Sequence, residues 1–376
     1  MKKIQMVDLK SQYDKIKSQI DEAVLNVFDA TAYINGPEVK EFQKELENYL
    51  EVKYVIPCAN GTDALQIAMM ALDLKPGDEV ITSDFTFAAT VEVIALLKLT
   101  PVLVDVYPDT FNIDIEAVKK AITTKTKAIV PVHLFGQCAD MESILQIAKD
   151  HNLYVIEDNA QAIGADYIFS DGTKKKAGTM GIVGTTSFFP SKNLGCYGDG
   201  GAIFTDDDEL AHKLKSISNH GMSKRYYYDA IGVNSRLDSI QAAILRVKLP
   251  FLDFYCDTRR KAANFYNEAF ANHPNILTPT VSSFSTHVFH QYTLRIINSD
   301  RNELHQYLLE NQIPNAIYYP VPLHSQKAYG NSHYLEEDFK VTNDLVNTVI
   351  SLPMHTEFDL EQLKYITQTV LNFFKK

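Results

Sequence analysis

The sequence predicts an α/β fold: a large domain on a mainly parallel sheet with helices on both faces, followed by a smaller α/β domain. Two observations carry this reading. Between residues 54 and 158, short apolar runs alternate with helical patterns, the signature of strand–helix–strand units whose strands lie side by side in one direction. The chain has 376 residues, 45% of them hydrophobic, enough for one large core and a second, smaller one.

Taken in order, residues 11–29 set Tyr13, Ile16, Ile20, Val24, Val27 and Phe28 on one helical face. Asn35-Gly36-Pro37 then resets the chain for a second helix carrying Val39, Phe42, Leu46 and Leu50, and both helices read as packing elements. Strands follow at Tyr54 to Ile56, Glu79 to Thr82, Val102 to Asp105, Ala128 to Val132 and Tyr154 to Asp158. Two more, Thr185 to Phe188 and Ala202 to Thr205, flank Lys192, with a helix expected from Asp206. A single long helix is predicted from about Asp238 to Asp257. Beyond it, helices are expected near 258–271 and 301–311, and a strand near Tyr292 to Ile297. The domain boundary is placed near 250, giving a large domain of residues 1–250 and a small one of 251–376. There is no internal repeat and no low-complexity segment.

Composition narrows the function classes. The net charge of −11 comes without a long acidic or basic block, which disfavours nucleic acid as a partner but leaves room for a local pocket that binds a small anion. Cys58, Cys138, Cys196 and Cys256 form no Cys-x-x-Cys pair, so neither a disulfide framework nor a zinc site is indicated. No apolar run is long enough to cross a bilayer, and the segment beginning Met1-Lys2-Lys3 turns polar too soon for a signal peptide. The expectation is a soluble cytoplasmic protein with no membrane partner.

The chemistry centres on one lysine. Ser187-Phe188-Phe189-Pro190-Ser191-Lys192 leads into Gly195-Cys196-Tyr197-Gly198-Asp199-Gly200-Gly201: a strand ends, a proline turns the chain, and an amine stands beside a small-residue loop able to close around a flat ligand. Pyridoxal phosphate (PLP) needs an amine for its aldehyde, an anion at its pyridine nitrogen, a cradle for its phosphate and a surface against its ring. Lys192 supplies the amine and then serves as general base and acid; on position alone it also reads as a surface lysine. Asp158 keeps the ring nitrogen protonated, or caps a turn at a strand end. Gln161 holds the ring hydroxyl, or is a polar loop residue. Asn60-Gly61-Thr62, between a strand and a helix, offers backbone N–H groups and a hydroxyl to the phosphate, or is a plain helix cap; Ser187 adds a further phosphate contact. Phe87 stacks on the ring, or is core.

The glycines at 195, 198, 200 and 201 do not make the dinucleotide fingerprint, which would have to open a helix after a first strand. His133, His220, His287, His290 and His324 lack metal-ligand spacing and read as polar-core or substrate-contact residues; no metal is expected.

With those residues in view, the chain resembles the DegT/DnrJ/EryC1/StrS sugar aminotransferases over nearly its whole length. The likeness rests on Asn60-Gly61-Thr62-Asp63-Ala64-Leu65, Glu157-Asp158-Asn159-Ala160-Gln161, the block Ser187 to Gly201, Gly232-Val233-Asn234-Ser235-Arg236-Leu237-Asp238 with Gln241-Ala242-Ala243, and Tyr319-Pro320-Val321-Pro322-Leu323-His324. The resemblance implies the type I aminotransferase fold, working as a homodimer with shared active sites. It implies PLP held by Lys192, Asp158, Gln161, Phe87, Gly61, Thr62 and Ser187, with Asn234 reaching the phosphate from the other subunit.

It further implies transfer of an amino group from glutamate to a nucleotide-linked keto sugar, with Arg236, Tyr318, Tyr319 and His324 on the substrate side. The form of the loop at Asn234 to Asp238 resembles that of 3-aminotransferases. A UDP-linked 3-keto sugar acid for surface polysaccharide such as O-antigen is therefore expected, with a dTDP-3-keto-6-deoxyhexose as the alternative. One departure concerns position 318, where the family often has histidine and this chain has tyrosine. A family dehydratase would carry histidine in place of Lys192. A non-catalytic regulatory relative would be expected to lose Lys192 or Asp158 and to gain a DNA-binding appendage.

Overall fold

The structure, a computed structural model, describes residues 2–329 and 334–375. Seven strands form one sheet in the spatial order Tyr54–Cys58, Gly201–Thr205, Val183–Ser187, Tyr154–Asp158, Thr126–Val130, Glu79–Ser83 and Thr100–Val104. Only Gly201–Thr205 runs against its neighbours; the other pairings are parallel. Adjacent residues of a strand face opposite ways, and here they enter separate cores. Ile81 and Ile129 join Phe42, Leu46 and Phe188 on one side, while Val80 and Val130 join Ile67 and Ile203 on the other. Because both faces are covered, the strands read as continuous apolar runs rather than alternating ones.

The expected helix from Asp238 to Asp257 is two helices, Ser239–Lys248 and Leu252–Phe270, joined by a 3₁₀ turn at Leu249–Phe251. Pro250 has no N–H to continue the ladder, and its ring crowds the preceding turn. The second of these helices absorbs the separate one expected at 258–271. It packs with helices Arg301–Glu310 and Leu360–Phe373 around a three-stranded antiparallel sheet of Ile276–Leu277, Tyr292–Ile296 and Val349–Leu352. That second core contains Phe270, Leu294, Ile350, Ile366 and Val370, and it also takes in Ile4. The Met354 amide donates to the Met6 carbonyl at 3.2 Å, so the early residues are built into the far end of the chain.

The first helix, Leu9–Ala30, buries Ile16, Ile20 and Val27, but Phe28, expected on its packing face, is exposed, as are Leu25, Tyr33 and Ile34. A hairpin at Met222–Lys224 and Tyr227–Tyr228 likewise leaves Tyr226, Tyr227, Tyr228 and Ile231 in solvent. Among the described residues no helix is long and apolar enough to cross a membrane.

Candidate active site

The register Asp158↔Thr185 sets the carboxyl ends of two parallel strands side by side, so that Asp158 and Ser187 open onto the same edge of the sheet. Ser187 in turn pairs with Gly201. The helix Gly61–Ala71 begins against this corner: its first turn is capped by the Asn60 side chain, which accepts from the Asp63 amide at 2.8 Å. A Cβ on Gly61 would lie 2.8 Å from the Ser187 Cβ, and one on Gly201 would lie 2.5 Å from the Asn60 backbone. The two glycines let the helix start press onto the strand ends, which sets Gly61 directly against Ser187.

Lys192 sits within a closed loop. The Phe188 amide donates to Gly200 at 2.7 Å, the Cys196 amide to the Phe188 carbonyl at 2.8 Å, and the Lys192 amide to the Phe189 carbonyl at 2.8 Å. Asn193 Nδ2 donates to the Val288 carbonyl at 3.1 Å, and the buried Lys248 ammonium donates to the Gly195 carbonyl. The side chain of Lys192 is half-buried. Burial lowers its pKa from 10.5 to about 8, against the opposing charge of Asp158. The sign is clear: below pH 8 the group is mostly ammonium and has no lone pair, and above it the free amine dominates. The cofactor-free protein is therefore expected to capture PLP at a rate that climbs with pH and levels off near 8, followed by the growth of yellow absorbance. A climb continuing towards 10.5 would mean that the amine is not buried as described.

Asp158 is 5% exposed. Thr90 Oγ1 donates to its Oδ2 at 2.7 Å and the Ala160 amide to its Oδ1 at 3.1 Å. Glu157, on the opposite side of the strand, is fully buried and accepts from the amides of Gly178, Met180 and Gly181 and from His133 Nε2 at 2.8 Å. Because the Ala139 amide donates to His133 Nδ1, the imidazole carries its proton on Nε2, facing Glu157. A buried carboxylate with four donors is well satisfied, and it fixes the strand end from which Asp158 projects. Glu157 lies in the motif that carries the family likeness and His133 reads from the sequence as a polar-core or substrate-contact residue, whereas Thr90 supports the site without any local motif to announce it.

Gln161 is held at both ends: its Oε1 accepts from the Phe135 amide at 2.8 Å, and its Nε2 donates to the Tyr319 hydroxyl at 3.3 Å. One Nε2 hydrogen remains for a ligand. The Tyr319 ring stands 5.9 Å from Phe85 and 6.4 Å from Phe87, and burial raises the pKa of its hydroxyl. Phe85 is 1% exposed and Phe87 58%, so two phenyls two residues apart divide between core and solvent. His290, two residues after Val288, is buried and its Nδ1 has no partner among the described residues; burial first, then the charges of Lys192 and Arg259, push its pKa well down.

The remaining expected residues are spread more widely. Asn234 is exposed and bridged through its backbone to Asn219, while the next residue, Ser235, accepts from the Ala59 amide at 3.0 Å. Arg236 is half-buried and makes no hydrogen bond or ion pair among the described residues. Tyr318 is half-buried, its ring 5.9 Å from that of Tyr319. His324 is occupied elsewhere: its amide and its Nδ1 both reach the Asp84 carboxylate, each at 2.7 Å, and its ring stacks on Phe339 at 4.3 Å. Burial pushes Asp84 up to about 6, with the His324 bonds opposing.

A buried carboxylate, an amine of lowered proton affinity, an exposed phenyl and a helix start pressed against a serine fit PLP as a set. Comparison with known proteins points the same way. Residues 14–371 match the model of the DegT/DnrJ/EryC1/StrS aminotransferase family. The chain is 45% identical over 374 residues, 99% of each chain, to a protein of Geobacillus stearothermophilus named pleiotropic regulatory protein. It is 44% identical over 369 residues, 98% of this chain and 100% of the other, to the UDP-2-acetamido-2-deoxy-3-oxo-D-glucuronate aminotransferase of Pseudomonas aeruginosa. Among solved structures it is similar to S. venezuelae DesV in complex with a ketimine intermediate, with a TM-score of 0.95, 35% identity and 100% of each chain covered.

Proposed function

Because the chain belongs to the DegT/DnrJ/EryC1/StrS aminotransferase family, we propose that it transfers the amino group of glutamate to C3 of UDP-2-acetamido-2-deoxy-3-oxo-D-glucuronate, for surface polysaccharide synthesis. The protein is a PLP-dependent aminotransferase of nucleotide-linked sugars, with the fold of that enzyme class. The finer reading is carried by the 44% identity, end to end, to a protein named for that substrate.

Bound PLP supplies an aldehyde that takes up the donor's amine and a ring that accepts the electron pair left when the donor's α C–H bond breaks. The rest is the work of this chain. Neutral Lys192 Nζ would remove the donor's α-proton and pass it to the cofactor's carbon; in the second half-reaction it would take a proton back from that carbon and deliver it to the sugar's C3. The Asp158 carboxylate, oriented by Thr90 and Ala160, keeps a proton on the ring nitrogen. Phe87 covers the ring, Gln161 Nε2 donates to its hydroxyl, and Gly61, Thr62 and Ser187 bind the phosphate. Arg236, with no partner in its own chain among the described residues, is the cation we assign to the uronate carboxylate; a guanidinium can hold it by two parallel N–H bonds.

We assign Asn234 to the partner subunit's phosphate and take the enzyme as a homodimer whose subunits complete each other's sites. The exposed rings of Phe28, Tyr226, Tyr227 and Tyr228 support a covered face there. A second reading, a dTDP-3-keto-6-deoxyhexose as acceptor, is favoured by Tyr318, which has no imidazole to offer an acidic sugar. A regulatory role without catalysis is disfavoured, since Lys192 and Asp158 are both in place. The deciding experiment offers glutamate with each keto sugar in turn and reads the product by mass and NMR. A 3-amino uronate is expected; amination of the deoxyhexose alone would overturn the uronate reading, and a 4-amino product the regiochemistry. Light scattering during the same assay is expected to report a dimer, and a fully active monomer would refute shared sites.

A further inference from the structure

We propose that His324 is a positioning residue: through Asp84 it fixes the strap of residues 318–325 as the far wall of the cofactor pocket. It does not act by touching the sugar. This rests on PLP as the cofactor and is independent of which sugar is aminated.

Asp84 is the first residue after the strand Glu79–Ser83, and two chains of contact leave it towards the pocket. The direct one runs along the backbone through Phe85 to Phe87, the exposed phenyl. The other crosses to His324, a bond spanning 240 residues of sequence. From His324 it returns through Pro322 and Pro320, whose fixed φ angles stiffen the connection, to Tyr319. The Tyr319 hydroxyl receives Gln161 Nε2, and its ring lies beside Phe87. The wall and the platform thus share one root.

The anchor is built for retention. Both oxygens of Asp84 are used by His324, one by its amide and one by Nδ1, and the Leu323 amide donates to the Asp84 carbonyl at 3.4 Å. Phe339 covers the imidazole face, nearly parallel at 9°. On the adjacent strand, where Ser83 pairs with Val104, Asp105 repeats the device: its carboxylate accepts from the amides of Val341 and Thr342 at 2.8 and 2.9 Å and from the Thr342 hydroxyl at 2.8 Å. Two neighbouring strand ends therefore hold the carboxy-terminal region at two places. What remains to His324 is Nε2, which has no hydrogen-bond partner among the described residues and lies 3.7 Å from Glu336.

The two nitrogens give the test, because asparagine places an N–H near the position of Nδ1 and glutamine near that of Nε2. His324→Asn is expected to keep the visible circular dichroism of bound PLP, which reports how the ring is held, and to keep turnover within about threefold. His324→Gln and His324→Ala are expected to lose half or more of that signal per bound cofactor. Both should slow turnover by about 10²-fold, the scale of a misplaced wall, with little change in the sugar's KM. Adding Asp84→Ala to His324→Ala should cost less than Asp84→Ala alone, since the bond to Nδ1 is already gone and only the bond from the backbone amide of residue 324 remains to be lost. The opposite pattern would overturn the proposal: an unaltered spectrum with a raised sugar KM in His324→Ala, or a glutamine variant that works where the asparagine variant fails. If the alanine variant does not fold, the asparagine and glutamine pair still decides.

Discussion

Replacing Lys192 with alanine is expected to lower turnover by about 10⁴-fold, the upper range for a single group that moves protons in the transition state. The fold should survive. The loop is held by backbone bonds of Phe188, Lys192 and Cys196 and by the side chains of Asn193 and Lys248, none of which needs the Lys192 amine. Removing an amine whose burial disfavours its charged form relieves a cost rather than adding one. The variant should bind PLP weakly and without the yellow of the wild type, and a small free amine such as methylamine should restore part of the lost rate by carrying the proton in its place. Near-normal transamination by purified Lys192→Ala, measured with glutamate and keto sugar, would refute the assignment of the base.

The second large effect concerns charge. Asp158→Asn retains the shape, and its one carbonyl oxygen still accepts from Thr90 while the Ala160 amide loses its acceptor; the side-chain amide cannot hold a proton on the pyridine nitrogen by charge. Turnover should fall by about 10³-fold, as when a preorganised electrostatic partner is removed from a transition state. PLP should stay bound, because Lys192, the helix start at Gly61 and Ser187 are untouched. Single-turnover decay of the cofactor's absorbance with glutamate separates this from a binding defect. A rate within tenfold of the wild type would show that Asp158 serves only its turn.

The legible part of this protein is the part whose signal is local. Strands buried on both faces, such as Thr126–Val130 and Tyr154–Asp158, betray themselves as apolar runs, and the loop around Lys192 betrays itself by composition. Apolar periodicity continues across Pro250, so the pattern alone extends the helix from Ser239 too far, while the missing N–H ends the ladder. The hairpin of Asp166–Ile168 with Lys174–Lys176 carries little pattern, because its strands are short and one of them is three lysines. The strand Val349–Leu352 and the helix Leu360–Phe373 have ordinary patterns and are absent from the expectation all the same. The supporting residues were illegible for another reason: Thr90 meets Asp158 from 68 residues away and Asp84 meets His324 from 240, and no window along the chain contains both members of either pair.

The burial of Ile4 among Ile350, Ile366 and Val370 has a consequence for how the protein is made. At about 5–20 residues per second, a ribosome takes tens of seconds to pass from the codon for Ile4 to the codon for Ile366. Throughout that interval an apolar side chain destined for 4% exposure has nowhere to go. The large sheet can assemble during elongation, since its strands all precede residue 206, whereas the second core must wait until the helix Leu360–Phe373 has cleared the exit tunnel. Contacts of such long sequence separation form slowly. Nascent chains stalled before that helix should therefore be soft at both ends and attractive to chaperones, and cleavage by a protease added to staged translation products should retreat from the region around residue 4 only when the helix emerges.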